Sequence, residues 1–431
     1  MERARQRMSS MGRRLWLLLA TVPGVAAMLI GIAVSSASSA PSVVPPTGIV
    51  CADGAPTFSL RTTTGHVTTP DGNGVFMWGF TTDPGSFQMP GPVLCVNEGD
   101  VVSVTLTNPA VGGVPEPVSI VFPGQTGVTA TGSAGAIDGL FTKEAPSGES
   151  VTYSFTAGEP GTYLYESGTT PEKQVQMGLY GVLVVRPSLG ASYAYNDPQT
   201  RFGKEYLVLL NEIDPDMHRA VELGQPYNIT ARHDEYWQVN GRSFPDSIAD
   251  NMAPYLPTQP YGALVTVEPF DAEDNPLPVL IRYANAGMDN HPFHPHGNHL
   301  RVIARDGRLL RGPGGEDISY EDFTRTIGSG QAYDLLFRWD DADAWVTGGD
   351  PVPVTIPGLQ NLVFKDDVTF YSGDPRLGEQ GELPVGITSY NQCGEFYFPW
   401  HSHALEEFTN FDEGFGGLAT LLRVEPPGGC P

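Results

Sequence analysis

The sequence predicts an all-β protein, and three observations lead to that class. Short runs of β-branched and aromatic residues recur along the chain, each bounded by Gly, Pro, Asn or Asp, as in VVSVTLTNP, GTYLYESG, LYGVLVVRP, EYLVLLNE, VLIRYANAG and AYDLLFRW. The 51 glycines and 39 prolines favour many turns. No extended stretch keeps the 3.6-residue apolar period of a helix. Strands at this spacing build sandwiches or barrels.

A faint internal repeat predicts two similar domains. Residues 148–187, which contain GESVTYSFTAGEPGTYLYESG and MGLYGVLVVRP, correspond in order to GSGQAYDLLFRW, GEFYFPWHSH and GFGGLATLLRVEP in residues 328–426. Apolar patterning lapses over residues 188–204. We therefore expect a first domain over residues 41–190 and a second over residues 200–431.

Residues 1–40 have the order of a signal peptide. Several arginines precede the apolar run LWLLLATVPGVAAMLIGIAV, and SSASSA follows it. Cleavage after Ala37 or Ala40 fits the small-residue rule, and the alternative is retention of the run as a membrane anchor. Either outcome predicts a secreted, periplasmic or cell-surface protein.

The net charge limits the classes of binding partner, and the cysteine content indicates how many disulfides the chain can form. A net charge of −25 repels phosphate backbones, which excludes nucleic acid as a favoured partner and suits metal cations better. Four cysteines follow the signal, and an exported chain can close two disulfides from them in any of three pairings. The cysteines are Cys51, Cys95, Cys393 and Cys430.

Histidine is concentrated in two short segments, HPFHPHGNH at residues 291–299 and HSH at residues 401–403. Side chains at positions i and i+2 of a strand face the same way, so His294 can point with His296 and His401 with His403. Two such pairs can hold one transition-metal ion, since imidazole suits copper, zinc, iron and nickel. The alternative is a polar cluster without metal.

Both histidine segments resemble motifs of the multicopper oxidases. HPFHPHGNHLRVIARDGR is similar to the family's HPxHLHGH motif, and FYFPWHSHALEEF is similar to its closing HCHxxxH motif. NEGDVVSVTLTNP, EPGTYLYESG, MGLYGVLVVRP and YWQVNGRSFP also resemble family landmarks. The resemblance implies two cupredoxin-like Greek-key β-sandwich domains, as in two-domain laccases and copper nitrite reductases. It also implies copper as cofactor, a small-molecule reductant of unknown identity and a homo-oligomer, for which a trimer is the expected form.

The chain departs from the family at most copper-ligand positions. His291 matches one blue-copper ligand, but Ser402 stands at the cysteine position and Glu407 at the second histidine position. A blue copper site requires the thiolate. In the first domain, VFPG replaces the family's HWHG and YESG replaces YHSH. Four cluster positions are thereby occupied by Val121, Pro123, Glu166 and Gly168.

These departures predict a metal site with fewer ligands than the family's copper sites have. His294, His296, His401 and His403 suffice for one ion rather than a three-copper cluster, with Glu166, Glu406 or Glu407 as additional carboxylates if the fold brings them near. His291 and His299 rank below the four. We expect a metal-binding protein with oxidoreductase chemistry short of four-electron oxygen reduction. The alternative is a non-catalytic module for metal binding or a structural role at the cell surface.

Overall fold

The computed structural model describes residues 44–340 and 396–425, apart from residues 412 and 415, together with two short strands between these ranges. The predicted signal peptide, Cys393 and Cys430 lie outside the described residues. Within those residues, no helix has the length and apolar character needed to cross a bilayer.

Ten strands form the first half of the described chain. Two sheets contain most of them, one in the order β2-β1-β4-β8-β5 and one in the order β3-β10-β9, and β6 pairs with β7. The strands are β1 (Thr57–Thr68), β2 (Gly74–Thr82), β3 (Leu94–Asn97), β4 (Val101–Thr107), β5 (Thr129–Gly132), β6 (Ile137–Asp138), β7 (Lys143–Glu144), β8 (Ser150–Thr156), β9 (Gly161–Glu166) and β10 (Tyr180–Arg186).

The second half also contains two main sheets. One has the order β17-β16-β20-β14-β11-β12-β24-β25 with β18 beside β16, the other has the order β13-β26-β23-β15-β19, and β21 pairs with β22. The strands are β11 (Glu205–Ile213), β12 (Tyr236–Val239), β13 (Val265–Val267), β14 (Val279–Asn285), β15 (His291–Pro295), β16 (Leu300–Arg305), β17 (Arg308–Leu309), β18 (Tyr320–Asp322), β19 (Arg325–Ile327), β20 (Ala332–Phe337), β21 (Val363–Phe364), β22 (Thr388–Ser389), β23 (Phe396–Ser402), β24 (Thr409–Asn410), β25 (Glu413–Gly414) and β26 (Ala419–Val424).

Helices are short in the described residues. They are α1 (Pro171–Gln174) and α2 (Pro215–Glu222), with single 3-10 turns at Pro198–Thr200, Ile229–Ala231, Asp246–Ile248 and Leu405–Glu407. Helix α2 begins where the Asp214 carboxylate accepts a hydrogen bond from the backbone N–H of Met217 and Pro215 fixes the first helical residue. The fold is therefore all-β, as the sequence predicted.

The two halves repeat one pairing scheme. Strand β1 runs parallel to β4, which pairs antiparallel with β8; in the second half β11 runs parallel to β14, which pairs antiparallel with β20. In the opposing sheets β10 lies between parallel β3 and antiparallel β9, and β26 lies between parallel β13 and antiparallel β23. Each half is thus a two-sheet sandwich of the same topology. The division at residues 190–200 stays a prediction.

Each sandwich encloses its own apolar core, and a third core joins the halves. Leu60, Phe80 and Leu106 lie in the first core, and Ile281, Phe293 and Trp400 lie in the second. Strands β2, β9 and β10 contribute to the joining core, as do β11 and β14. A disulfide links Cys51 to Cys95. It is one of the pairings that the sequence left open.

Candidate metal centre

Strands β15 and β23 carry the two histidine pairs side by side. They pair antiparallel, with His294 directly opposite His401. Along β15 buried and half-buried residues alternate, so that His291 and Phe293 face the core while His294 faces the other way. The N–H of His403 donates to the carbonyl of Pro292 at 2.8 Å, which extends the pairing past the end of β23. The predicted convergence of the pairs follows from this register.

The four rings form one cluster. Five of the six ring pairs have centroid separations between 4.7 and 5.9 Å: His294–His296, His294–His403, His296–His401, His294–His401 and His401–His403. His294, His296 and His401 are half-buried, and His403 is exposed at the rim. The two pairs lie more than 100 positions apart in the chain, and the sheet brings them together.

The spacing of two ring nitrogens fits ligands of one ion. Nε2 of His296 lies 3.2 Å from Nε2 of His401. Nitrogens that each lie about 2.0 Å from an ion at a tetrahedral angle are about 3.3 Å apart. The nitrogens of the other two rings lie farther away, each more than 4.8 Å from at least one of those two Nε2 atoms. No three of these four described histidines offer nitrogens that all lie within 4.8 Å of one another, so a third ligand requires rotation of a ring.

Neighbouring groups orient the rings toward the cluster. Nδ1–H of His401 donates to the carbonyl of Ser402 at 2.7 Å, which leaves its Nε2 unprotonated and facing Nε2 of His296. Nδ1 of His294 bonds the hydroxyl of Thr324 at 2.7 Å. The indole N–H of Trp400 donates to the carbonyl of His296 at 3.0 Å and holds the turn that follows β15. Such second partners fix ring orientation and tautomer in metal sites.

Three rings of the cluster have a lowered pKa. Burial, followed by the positive charge of neighbouring imidazoles, lowers the pKa of His294, and the same two causes lower the pKa of His296 to about 4. Burial also lowers the pKa of His401. Neutral imidazole is the form that binds a transition metal, because its lone pair is free.

His291 lies apart from the cluster and is charged. Its ring is buried, with Nδ1 2.9 Å from a carboxylate oxygen of Glu407 and Nε2 3.0 Å from one of Glu212. Burial alone would lower its pKa, but the hydrogen bonds and negative charge of the two glutamates outweigh burial and raise the pKa to about 9. Both ring nitrogens are therefore engaged by carboxylates. Ser402 is buried and accepts a hydrogen bond from the N–H of Ala404.

Sequence reasoning missed one acidic neighbour of His291, the Glu212 carboxylate. Glu212 belongs to a group of three carboxylates with Asp234 and Asp289, whose oxygens lie within 4.8 Å of one another. The guanidinium of Arg232 forms ion pairs with all three carboxylates. Its nitrogens lie 3.1 Å from an oxygen of Glu212, 2.5 Å from one of Asp234 and 2.7 Å from one of Asp289. Burial, followed by the charge of Glu212, raises the pKa of Asp234 to about 7. An acid inside the apolar run EYLVLLNE was the signal available in the sequence.

The other candidate ligands that the sequence suggested are His299, Glu406, Glu407 and Glu166. His299 is exposed, with its ring 5.9 Å from that of Phe323, which in turn lies 6.0 Å from the ring of His294. Glu406 is exposed, and Glu407 bonds His291 as described. Glu166 ends β9 in the first half, where burial raises its pKa.

The first half contains a matching pair of segments without histidine. Val121 forms an isolated bridge with Glu166, as His294 pairs with His401 in the second half. A Cβ atom on Gly168, at the position that corresponds to His403, would lie 2.6 Å from a methyl group of Val121. The space that a ligand side chain would need is therefore filled by apolar packing.

The fold and these paired segments define the class of protein. The superposition on a blue copper oxidase from Nitrosomonas europaea covers 85% of each chain, with a TM-score of 0.56 and 19% identity. For a copper nitrite reductase of the same organism the coverage is 85% and 93%, the TM-score 0.51 and the identity 18%. These likenesses show the cupredoxin-type β-sandwich fold.

Sequence comparison gives the family that the chain resembles. Residues 84–189 match the family model of a multicopper oxidase, so the chain carries a multicopper oxidase domain. A copper-containing nitrite reductase of Neisseria meningitidis is 28% identical over 186 residues, which are 42% of each chain. Laccase-25 of Oryza sativa is 28% identical over 358 residues, 80% of this chain and 53% of that one. The chain thus spans about half or less of these relatives, and the family resemblance seen in the sequence is confirmed.

Proposed function

We propose that this protein binds a single transition-metal ion, copper by preference, at His294, His296, His401 and His403, and that the site performs oxidoreductase chemistry simpler than four-electron oxygen reduction. The observation that carries the proposal is the convergence of the two pairs, with 3.2 Å between Nε2 of His296 and Nε2 of His401. Copper is the metal that the relatives' names state, as in copper-containing nitrite reductase.

The residues present fit such an ion by their chemistry. Half-buried imidazoles with a lowered pKa, as at His294, His296 and His401, are good ligands for copper. When bound, copper supplies one-electron redox chemistry. The chain's own residues hold the rings in place. The Thr324 hydroxyl bonds the ring of His294 and the carbonyl of Ser402 bonds the ring of His401. The indole N–H of Trp400 bonds the backbone carbonyl of His296.

The buried ion pair of His291 favours a second candidate function. A relay from a surface reductant needs a thiolate copper site, and here the corresponding positions contain Ser402 and the His291–Glu407 pair. A module that binds metal without turnover fits this loss. Turnover assays with phenolic and inorganic reductants separate the two candidates, because only the first predicts oxidation that depends on bound metal.

Export and oligomerisation belong to the same proposal. The apolar run behind the N-terminal arginines supports secretion or attachment at the cell surface. The likeness to laccases and nitrite reductases supports a homotrimer that uses an external small-molecule reductant.

The test is a comparison of metal content between two double variants. Elemental analysis of purified His294→Ala/His403→Ala protein should show that the wild-type metal, about one ion per chain, is lost. The matched control is Val121→Ala/Glu166→Gln, which alters the first-half positions that correspond to His294 and His401 and should retain wild-type metal. Equal metal in both double variants would place the ion elsewhere and overturn the proposal.

A further inference from the structure

A cleft beside the histidine cluster is lined by arginine. It encloses about 320 Å³ between the end of β20 and the segment around His299, and its walls include Arg201, Arg301 and Arg338. The whole chain has 24 basic and 49 acidic residues. Three guanidinium groups at one cleft therefore contrast with the charge of the molecule.

The three arginines differ in how their charge is matched. Arg301 bonds Asp317 and the Ser319 hydroxyl. Arg338 bonds Asp340 at 3.0 Å. Arg201 is exposed and makes no side-chain hydrogen bond or ion pair anywhere in residues 44–340 or 396–425 that are described.

The acids at the cleft match two of its three guanidinium groups. Asp317 bonds Arg301 and Asp340 bonds Arg338, and Glu321 also lines the space. Glu321 lies opposite Arg301 in the β16–β18 pair rather than at Arg201. An anion in the cleft therefore meets at least one unmatched guanidinium.

Part of the cleft lining is apolar. Pro276, Pro278 and Leu336 contribute to the lining. A guanidinium binds a carboxylate through two parallel hydrogen bonds, and small-molecule sites combine an apolar wall with a few polar groups that fix orientation. The volume lies at the lower end for such sites, which suits a molecule of one ring.

We propose that this cleft is a binding site for a small aromatic carboxylate, with Arg201 as the group that engages the carboxylate. The site lies next to the histidine cluster, since Phe323 contacts the rings of both His299 and His294. The inference goes beyond the proposed function and does not require bound metal.

The probe is phthalate, measured by titration calorimetry on the protein as purified and again after removal of metal with a chelator. Arg201→Gln should weaken phthalate binding about tenfold or more, because a charge-assisted pair is lost, and Arg201→Lys should restore part of it. Arg219→Gln is the matched control: Arg219 is an exposed arginine that pairs with Glu222 outside the cleft, and its loss should leave binding unchanged. Phthalamide, which lacks the charge, should bind more weakly than phthalate.

Two results would overturn the inference. One is the absence of phthalate binding to the wild type up to about 10 mM. The other is equal binding by the wild type and Arg201→Gln. Because the titration is repeated without metal, and Arg201→Gln should keep wild-type metal content, either failure is distinct from a failure of the metal proposal.

Discussion

The same pair of segments occurs in both halves of the molecule with opposite chemistry. VSIVFPG at residues 118–124 corresponds to HPFHPHG at residues 291–297, and YESG at residues 165–168 corresponds to WHSH at residues 400–403. Core positions are kept: Ile120 and Phe293 are buried, as are Tyr165 and Trp400. The sandwich therefore needs only the core-facing residues, and the outward-facing ones are free to bind an ion or to pack.

The turn that follows each first segment is also kept. Gly124 has a φ of 83° and Gly297 a φ of 99°, a region that favours glycine. Val118 and His291 occupy corresponding buried positions, one with hydrocarbon around it and one with two carboxylates. The comparison indicates that backbone geometry is common to the halves while their electrostatics differ.

The largest expected effect comes from removing the buried charge at His291. His291→Gln should lower the free energy of unfolding by about 3–5 kcal/mol, because it leaves Glu407 buried without a cation and Glu212 with Arg232 as its remaining cation. Urea unfolding of the apoprotein measures it. Val118→Ala, the corresponding first-half change, should cost only about 1–2 kcal/mol through lost packing. Similar costs for the two variants would contradict the contrast in electrostatics.

The second effect is a pH dependence confined to the second half. The pKa of His291 is raised to about 9, above the unfolded value of about 6.5, so its stabilisation is complete below pH 6.5 and is lost as pH rises through 9. The stability difference between wild type and His291→Gln should shrink by roughly 3 kcal/mol across that window. Urea titrations at several pH values measure it. A constant difference would exclude a charged His291.

The smallest effect concerns the orientation of one ring. Thr324→Val removes the hydroxyl that bonds Nδ1 of His294 and should weaken metal binding about tenfold. Competition with a chromophoric chelator measures the affinity. Thr326→Val, an exposed change on β19, is the matched control and should leave affinity unchanged. Loss of affinity in both variants would mean that strand propensity, and not the hydrogen bond, is responsible.

Sequence reasoning recovered the fold class and the side-by-side placement of the two histidine pairs, because both depend on local patterns. That these four histidines bind metal stays a prediction. Alternation along β15 is a period-two signal, and paired His-x-His spacing reports which side chains share a face. Glu212, one partner of His291, was not recovered, because it lies 79 positions away and reaches His291 only through tertiary packing, whereas the family resemblance had already assigned Glu407 to the same site. The cleft at Arg201 was missed for the same reason.

The most direct test of the central claim is metal analysis of the wild-type protein together with its absorption and paramagnetic-resonance spectra. The four-histidine site predicts about one copper per chain, a resonance typical of nitrogen ligands and no intense blue thiolate band, since Ser402 replaces the cysteine. An intense blue band, or protein that stays free of metal after incubation with copper, would contradict the account.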